Sequence, residues 1–199
     1  MDMEKLIKSV EYLNSIHIPI CTEHGDGRVN SVEDEKTIID LMVDRYGDEI
    51  TETEPRSWTD VIPFGFPTNI KSTGFKGADN FSSKSAVLYA LTNLSIAQIL
   101  KITKWHDFQV MVREHGQKEN NRDYQIIVLN KKTNKVYLTS LKRLNKLTPN
   151  GNNLLFQIPW KDNTVPVERT HKEAYDFLIG AYKDSVAKKV GVHAGYETL

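Results

Sequence analysis

The chain has a single cysteine, Cys21, among 199 residues. That excludes an internal disulfide and any multi-cysteine zinc site, and it points to a reducing compartment. There is no apolar run near the ~18–20 residues that a membrane span requires. The opening Met1-Asp2-Met3-Glu4-Lys5 has neither the charge nor the apolar pattern of a secretory signal. No internal repeat or low-complexity tract stands out. There is no Gly-x-Ser-x-Gly elbow, which argues against a serine hydrolase. His24-Gly25-Asp26-Gly27-Arg28 lacks the Gly-Lys-Ser/Thr ending of a phosphate loop and reads as a turn. These absences predict a soluble, cytoplasmic protein.

Net charge is also lacking, because 26 Lys and Arg balance 26 Asp and Glu. The balance hides an asymmetry. Residues 1–60 carry 6 basic and 15 acidic side chains, and residues 61–199 carry 20 basic and 11 acidic. A uniformly basic coat is excluded, while a basic face built by the later two thirds is not.

Leu6, Val10, Leu13 and Ile16 recur at helical spacing and predict an amphipathic helix over 3–16. Residues 22–30 have turn chemistry. Asn30 or Ser31 is the expected cap of a second helix, with Val32, Ile38, Ile39, Met42 and Tyr46 as its buried stripe and Gly47 as its stop. A loop is expected over 48–56 and a tight hairpin over 57–73, where Pro63, Gly65 and Pro67 separate two β-prone runs. Residues 74–80 read as a loop. Helices are expected from Phe81-Ser82-Ser83 onward and over about 95–115. Strands are expected at 124–129 and 136–141, joined by a basic turn, then a loop over 148–153, a strand within 154–160 and a last helix over 170–190. The expected fold is α+β: a mixed sheet flanked by helices in one domain. Its parts are a helical region (1–47), the hairpin, a strand region (124–169) and the closing helix.

The hairpin carries the chemistry. Side chains alternate along a strand, so Asn69 and Lys71 share one face and Ile70 takes the other. Asp60, on the paired run, can return beside them. A carboxylate, an amide oxygen and an ammonium at one sheet edge can hold a divalent cation through Asp60, the Asn69 oxygen and the Ile70 carbonyl. Hard oxygen ligands suit Mg²⁺. Lys71 can then serve an attacking water or neutralise charge on a phosphate.

Asp60 followed by Asn69-Ile70-Lys71 resembles the signature of the type II restriction endonucleases of the PD-(D/E)XK nuclease superfamily. The stretch from Asn69 through Gly74 and Asn80 into a helix, and the stretch from Thr148 to Trp160, resemble a subset of the same enzymes. The resemblance covers about residues 24–170. It implies that Asp60 binds Mg²⁺ and that Lys71 serves the water. It further implies a homodimer in a prokaryotic cell, acting on a palindromic site in double-stranded DNA. Asn69 departs from the pattern, standing where the family has a second acid. It brings an oxygen without a charge. Many superfamily members add a glutamate from the helix before the hairpin, and Glu35, one turn before Ile38, is the candidate here. Glu33 and Asp34 are less well placed. The later basic excess would supply salt-dependent phosphate affinity. Asn152, Asn153, Gln157 and Lys161 are the expected base-reading residues, with Lys76, Asn80 and Lys84 near the scissile phosphate.

Plainer readings stand beside these. Asp60 can be a turn aspartate, Lys71 a solvated strand end, and Glu33-Asp34-Glu35 a solvated face. The turn lysines Lys131, Lys132 and Lys135 read as hairpin solubility. His17, Cys21 and His24 offer a thiol and two imidazoles but show no partner set in sequence. A DNA-binding module with a decayed metal site, a repair nuclease of the same superfamily, and a purely structural protein are the rival functions.

Overall fold

The computed structural model describes residues 1–25 and 27–193, so Asp26 of the expected turn lies outside the described residues. In chain order the elements are α1 (Met3–Ser15), α2 (Gly27–Tyr46), β1 (Ile50–Glu52), β2 (Val61–Pro63), β3 (Thr68–Thr73), β4 (Ala78–Phe81), α3 (Lys84–Leu91), α4 (Ile96–Ile99), α5 (Trp105–His115), β5 (Gln125–Asn130), β6 (Lys135–Ser140), β7 (Thr148–Pro149), β8 (Phe156–Pro159) and α6 (His171–His193). The architecture is mixed α+β, as expected. The chain forms two compact units, each made of two stretches. One is Met1–Lys76 with Gln125–Thr139, and the other is Gly77–Tyr124 with the chain from Ser140 onward. Among the described residues no helix is long and apolar enough to cross a membrane.

The first unit holds a five-stranded mixed sheet in the order β1-β2-β3-β5-β6. Its β1/β2 and β2/β3 pairs are antiparallel, and β3 runs parallel to β5 from Thr68↔Gln125 to Thr73↔Asn130. The β2–β3 connection is a tight turn closed by Phe66 N–H donating to the Pro63 carbonyl at 2.9 Å. Phe64 and Gly65 both have positive φ, 51° and 87°, as a primed hairpin turn demands. A phenylalanine tolerates this because its ring is buried, edge-on to Tyr46 at 5.2 Å. The core joins Leu6, Val10 and Leu13 of α1, Ile38 and Met42 of α2, and Ile70 and Ile127 of the sheet. Helix α1 also covers the free edge of β6. Asn14 donates to the Val136 carbonyl and accepts from its N–H, both at 2.9 Å, so an amide side chain completes the ladder.

Several expectations need correction. Helix α2 starts at Gly27 rather than at a cap formed by Asn30 or Ser31, and Ser31 Oγ bonds back to the Gly27 carbonyl inside the helix. Val32 is 63% exposed and lies outside the buried stripe. Gly47, at φ +56°, does end the helix. The loops expected at 48–56, 74–80 and 148–153 contain β1, β4 and β7. Strands this short show no periodicity and exist only through their partners. The helix expected over 95–115 is two helices, the first opened by a capping box between Ser95 and Gln98.

The second unit holds a three-stranded antiparallel sheet, β4-β8-β7, with Asn80 opposite Gln157 and Thr148 opposite Gln157 on the other side. Phe81 stacks on Phe156 at 5.5 Å. Ala174 and Leu178 of α6 are fully buried, and Tyr182 nearly so.

Helix α2 is fastened to the sheet by Asp34, whose side chain is wholly buried. Its Oδ2 accepts from Ser72 Oγ at 2.8 Å and from Lys131 Nζ at 2.7 Å, and its Oδ1 accepts from the Cys21 N–H at 2.7 Å. The acidic run is therefore a solvated face only at Glu33, and Lys131 does more than keep a turn soluble. Removing one partner of such a pair strands the others without water. Asp34→Ala should lower stability by about 3–5 kcal/mol, with Asp34→Asn intermediate, as read by urea unfolding.

Candidate active site

Asp60 stands just before β2, and its backbone is held on several sides. Its N–H donates to the Thr68 carbonyl at 3.0 Å, and its carbonyl accepts from Thr53 Oγ1 at 2.9 Å. The neighbouring Thr59 hydroxyl donates to the Thr68 carbonyl at 2.8 Å. A rigid mount of this kind fixes where the Asp60 carboxylate points. Asp60 Oδ2 accepts from the Ile70 N–H at 2.7 Å and from the Asn69 amide.

Strand β3 alternates as expected. Thr68, Ile70 and Ser72 are buried, while Asn69, Lys71 and Thr73 are half-buried. The N–H and C=O of one residue in an extended strand face the same edge. Since the Ile70 N–H points at Asp60, the Ile70 carbonyl lies on that edge too, past the point where β2 stops pairing at Val61↔Thr68.

Glu35, projecting from α2, completes the cluster. Its Oε1 sits 3.3 Å from Lys71 Nζ and 3.4 Å from the Ser72 N–H. Burial pushes the Glu35 carboxyl above its ordinary pKa, the Lys71 ammonium opposes this, and the nearby Asp60 charge pushes it further up. Burial likewise raises Asp60 against the pull of Lys71, the Ile70 N–H and the Asn69 amide. Two carboxylates crowded in a partly dry site are each costly to ionise alone, and a cation between them relieves both. A cleft of about 240 Å³ opens beside them, lined by Glu35, Arg56, Thr59 and Asp60 among others.

Glu35, Asp60, Asn69, Ile70 and Lys71 are thus brought together. Asn69 does not take the expected part, because it meets Asp60 through its amide nitrogen rather than its oxygen. Half a turn about its last torsion would present the oxygen instead, since the two ends are alike in shape. The donors that remain are two carboxylates and a carbonyl. This is an all-oxygen set that fits Mg²⁺ and offers nothing soft for zinc. Asp34, the neighbour of Glu35, gave no sign in sequence of its positioning part, because its partners Ser72 and Lys131 are remote along the chain.

The expected DNA contacts divide between the units. Lys76 is exposed after β3. In the second unit, Asn80 Oδ1 accepts from Asn150 Nδ2 at 2.8 Å and from Gln157 Nε2 at 3.0 Å, so Asn80 and Gln157 bind each other across the β4–β8 pair. Asn152 and Asn153 are exposed in a turn whose N–H groups both donate to Asn150 Oδ1, at 3.2 and 3.1 Å. With Asn80, Trp105 and Lys189 they line a polar cleft of about 330 Å³. The Lys84 ammonium is engaged by the Thr103 carbonyl and lies 4.7 Å from the Trp105 ring centre. Lys161 is exposed beyond the end of β8.

No family model, curated protein or solved structure matches this chain. The site is therefore read from its own chemistry, which has a thermodynamic signature. A carboxyl whose folded pKa is raised favours folding below its unfolded value and loses that contribution as pH rises through the folded one. Without metal, Asp60→Asn should therefore melt above the parent protein at neutral pH, with the gap closing as pH falls into the carboxylate range. Added Mg²⁺ should raise the melting temperature of the parent and not of the variant. Calorimetry across pH, with and without Mg²⁺, reads both.

Proposed function

We propose that the protein is a Mg²⁺-dependent, sequence-specific endonuclease of the type II restriction kind, cutting double-stranded DNA to leave 5′-phosphate and 3′-hydroxyl ends. The observation that carries this reading is the meeting of Glu35, Asp60 and Lys71 at one edge of β3. The likeness of Asp60 and Asn69-Ile70-Lys71 to the PD-(D/E)XK signature supports it.

Asp60 and Glu35, with the Ile70 carbonyl, hold the ion. When bound, Mg²⁺ supplies positive charge against the phosphate and the departing oxygen. Lys71 orients the attacking water and offers its ammonium to the charge building on the phosphate. Glu35, hydrogen-bonded to Lys71, fixes where that ammonium sits. Water adds to phosphorus and the bond to the 3′-oxygen breaks, which yields the two ends. The exposed Asn152, Asn153 and Lys161 are the base-reading groups, and Lys76 serves the backbone. The active species is a homodimer, its two-fold axis matching a palindromic site.

A second reading has one observation in its favour. Asn69 lacks the charge of an acid and gives its nitrogen to Asp60, as a DNA-binding module with a decayed metal site would.

A digest of DNA of known sequence with Mg²⁺, followed by run-off sequencing of the ends, separates the two. Discrete fragments sharing one short site are expected, and a mobility shift without cleavage would mark the binding module. Lys71→Ala should lower cleavage by about 10²–10⁴-fold with DNA binding kept, so near-normal cutting by this variant removes Lys71 from the mechanism. Asn69→Asp should hold or raise Mg²⁺ affinity by calorimetric titration.

A further inference from the structure

A different group of ligand atoms gathers at the other side of the first turns of α2. The loop after α1 doubles back on the helix, so that Cys21 Sγ lies 2.8 Å from Glu33 Oε2 and His24 Nε2 lies 2.8 Å from Glu33 Oε1. One ligand atom from each of the three falls within 4.8 Å of the others. The loop is held in this shape by groups that are not themselves the ligands. Asn30 Oδ1 accepts from the His24 N–H at 3.0 Å, and Asn30 Nδ2 donates to the His24 carbonyl at 2.9 Å. The Cys21 N–H is fixed by buried Asp34 at 2.7 Å. Cys21 and His24 therefore present their side chains to Glu33 from a backbone locked by an amide and a buried carboxylate.

We propose that Cys21, His24 and Glu33 form a binding site for a borderline divalent cation, Zn²⁺, with water as the fourth ligand. The donor set decides the metal. A thiolate, an imidazole and a carboxylate suit zinc, while Mg²⁺ and Ca²⁺ want oxygen alone. Tetrahedral zinc with bonds of about 2.0–2.3 Å sets its ligands about 3.3–3.8 Å apart. The two 2.8 Å contacts to Glu33 would open by about 0.5–1 Å while the widest separation in the group, within 4.8 Å, closes to that spacing, and Glu33 and His24 are 48% and 42% exposed, which leaves them room to move. His17, exposed in the same loop, is not part of the group. The bound ion would tie the loop to α2 one residue before Asp34 and two before Glu35. It is distinct from the all-oxygen site on β3.

The test uses the whole chain, stripped of metal and kept in excess Mg²⁺ so that the proposed oxygen site does not compete for zinc. Titration with Zn²⁺ against a chromophoric chelator should give one tight equivalent. Cys21→Ser and His24→Ala should each weaken it by at least about 10–100-fold, and Asp60→Asn should leave it unchanged. Co²⁺ in place of Zn²⁺ should give a thiolate charge-transfer absorption that Cys21→Ser abolishes. Circular dichroism of the metal-free variants checks that they fold, and if Cys21→Ser does not, the loss of Zn²⁺ affinity in His24→Ala still decides. Absence of a tight equivalent in the parent protein, a cobalt spectrum without a thiolate band, or loss of the equivalent in Asp60→Asn each overturns the proposal.

Discussion

The buried carboxylate of Asp34 is the constraint on which the first unit depends. Ser72 and Lys131 reach it from β3 and from the turn after β5, and the Cys21 N–H reaches it from the loop after α1. Three remote stretches of chain are thereby registered against one turn of α2. A helix advances about 100° per residue, so Glu33, Asp34 and Glu35 fan out to three different surroundings. Glu33 meets Cys21 and His24, Asp34 enters the core, and Glu35 meets Lys71. With Asp34 tied to Ser72, α2 is seated beside β3, and Glu35, the next residue, reaches both the Ser72 N–H and the Lys71 ammonium. The Glu35 part of the cluster at β3 thus shares its helix with the Asp34 anchor.

What could be read from the sequence was what short stretches decide for themselves. The stripe of Leu6, Val10 and Leu13 settles α1, Gly47 settles the end of α2, and the alternation through Ile70 settles which side chains of β3 share a face. Asp60, Ile70 and Lys71 were legible for the same reason, because a hairpin brings near neighbours in sequence together. The parallel partner of β3, which lies beyond the whole of α3–α5, was not legible. Nor were β1, β4 and β7, too short to show a period and defined only by what they pair with. Asp34 is the sharpest case. Three consecutive acids carry no local sign of which one is buried, and the answer lies with Ser72, 38 residues on. Cys21 and His24 looked partnerless because their third member sits on a helix, in phase with them only after folding.

The amide network of the second unit shows where residue type alone misleads. Asparagines and glutamines were singled out as base readers because their side chains can pair with base edges. The same donors and acceptors pair equally well with one another, and Asn80, Asn150 and Gln157 do so across β4 and β8. Their order serves the turn that presents Asn152 and Asn153 rather than adding to the groups it presents. A buried or edge amide is usually spoken for, and the ones left exposed at the tip of such a turn are the ones able to meet a ligand.

Asn69 sharpens the electrostatics of the proposed cation site. An acid there would face Asp60 directly, and two carboxylates at hydrogen-bond distance cannot both ionise cheaply. The asparagine instead donates to Asp60, which favours its charged form and offsets part of the cost of burial. The second negative charge comes from Glu35, on a helix rather than on the strand, and it is partly balanced by Lys71. The site thus keeps two carboxylates and one ammonium while spreading them over α2, the approach to β2, and β3. Such an arrangement is easier to fold without metal than one with both acids on the hairpin. It makes the seating of α2, and so the Asp34 anchor, part of what shapes the proposed cation site.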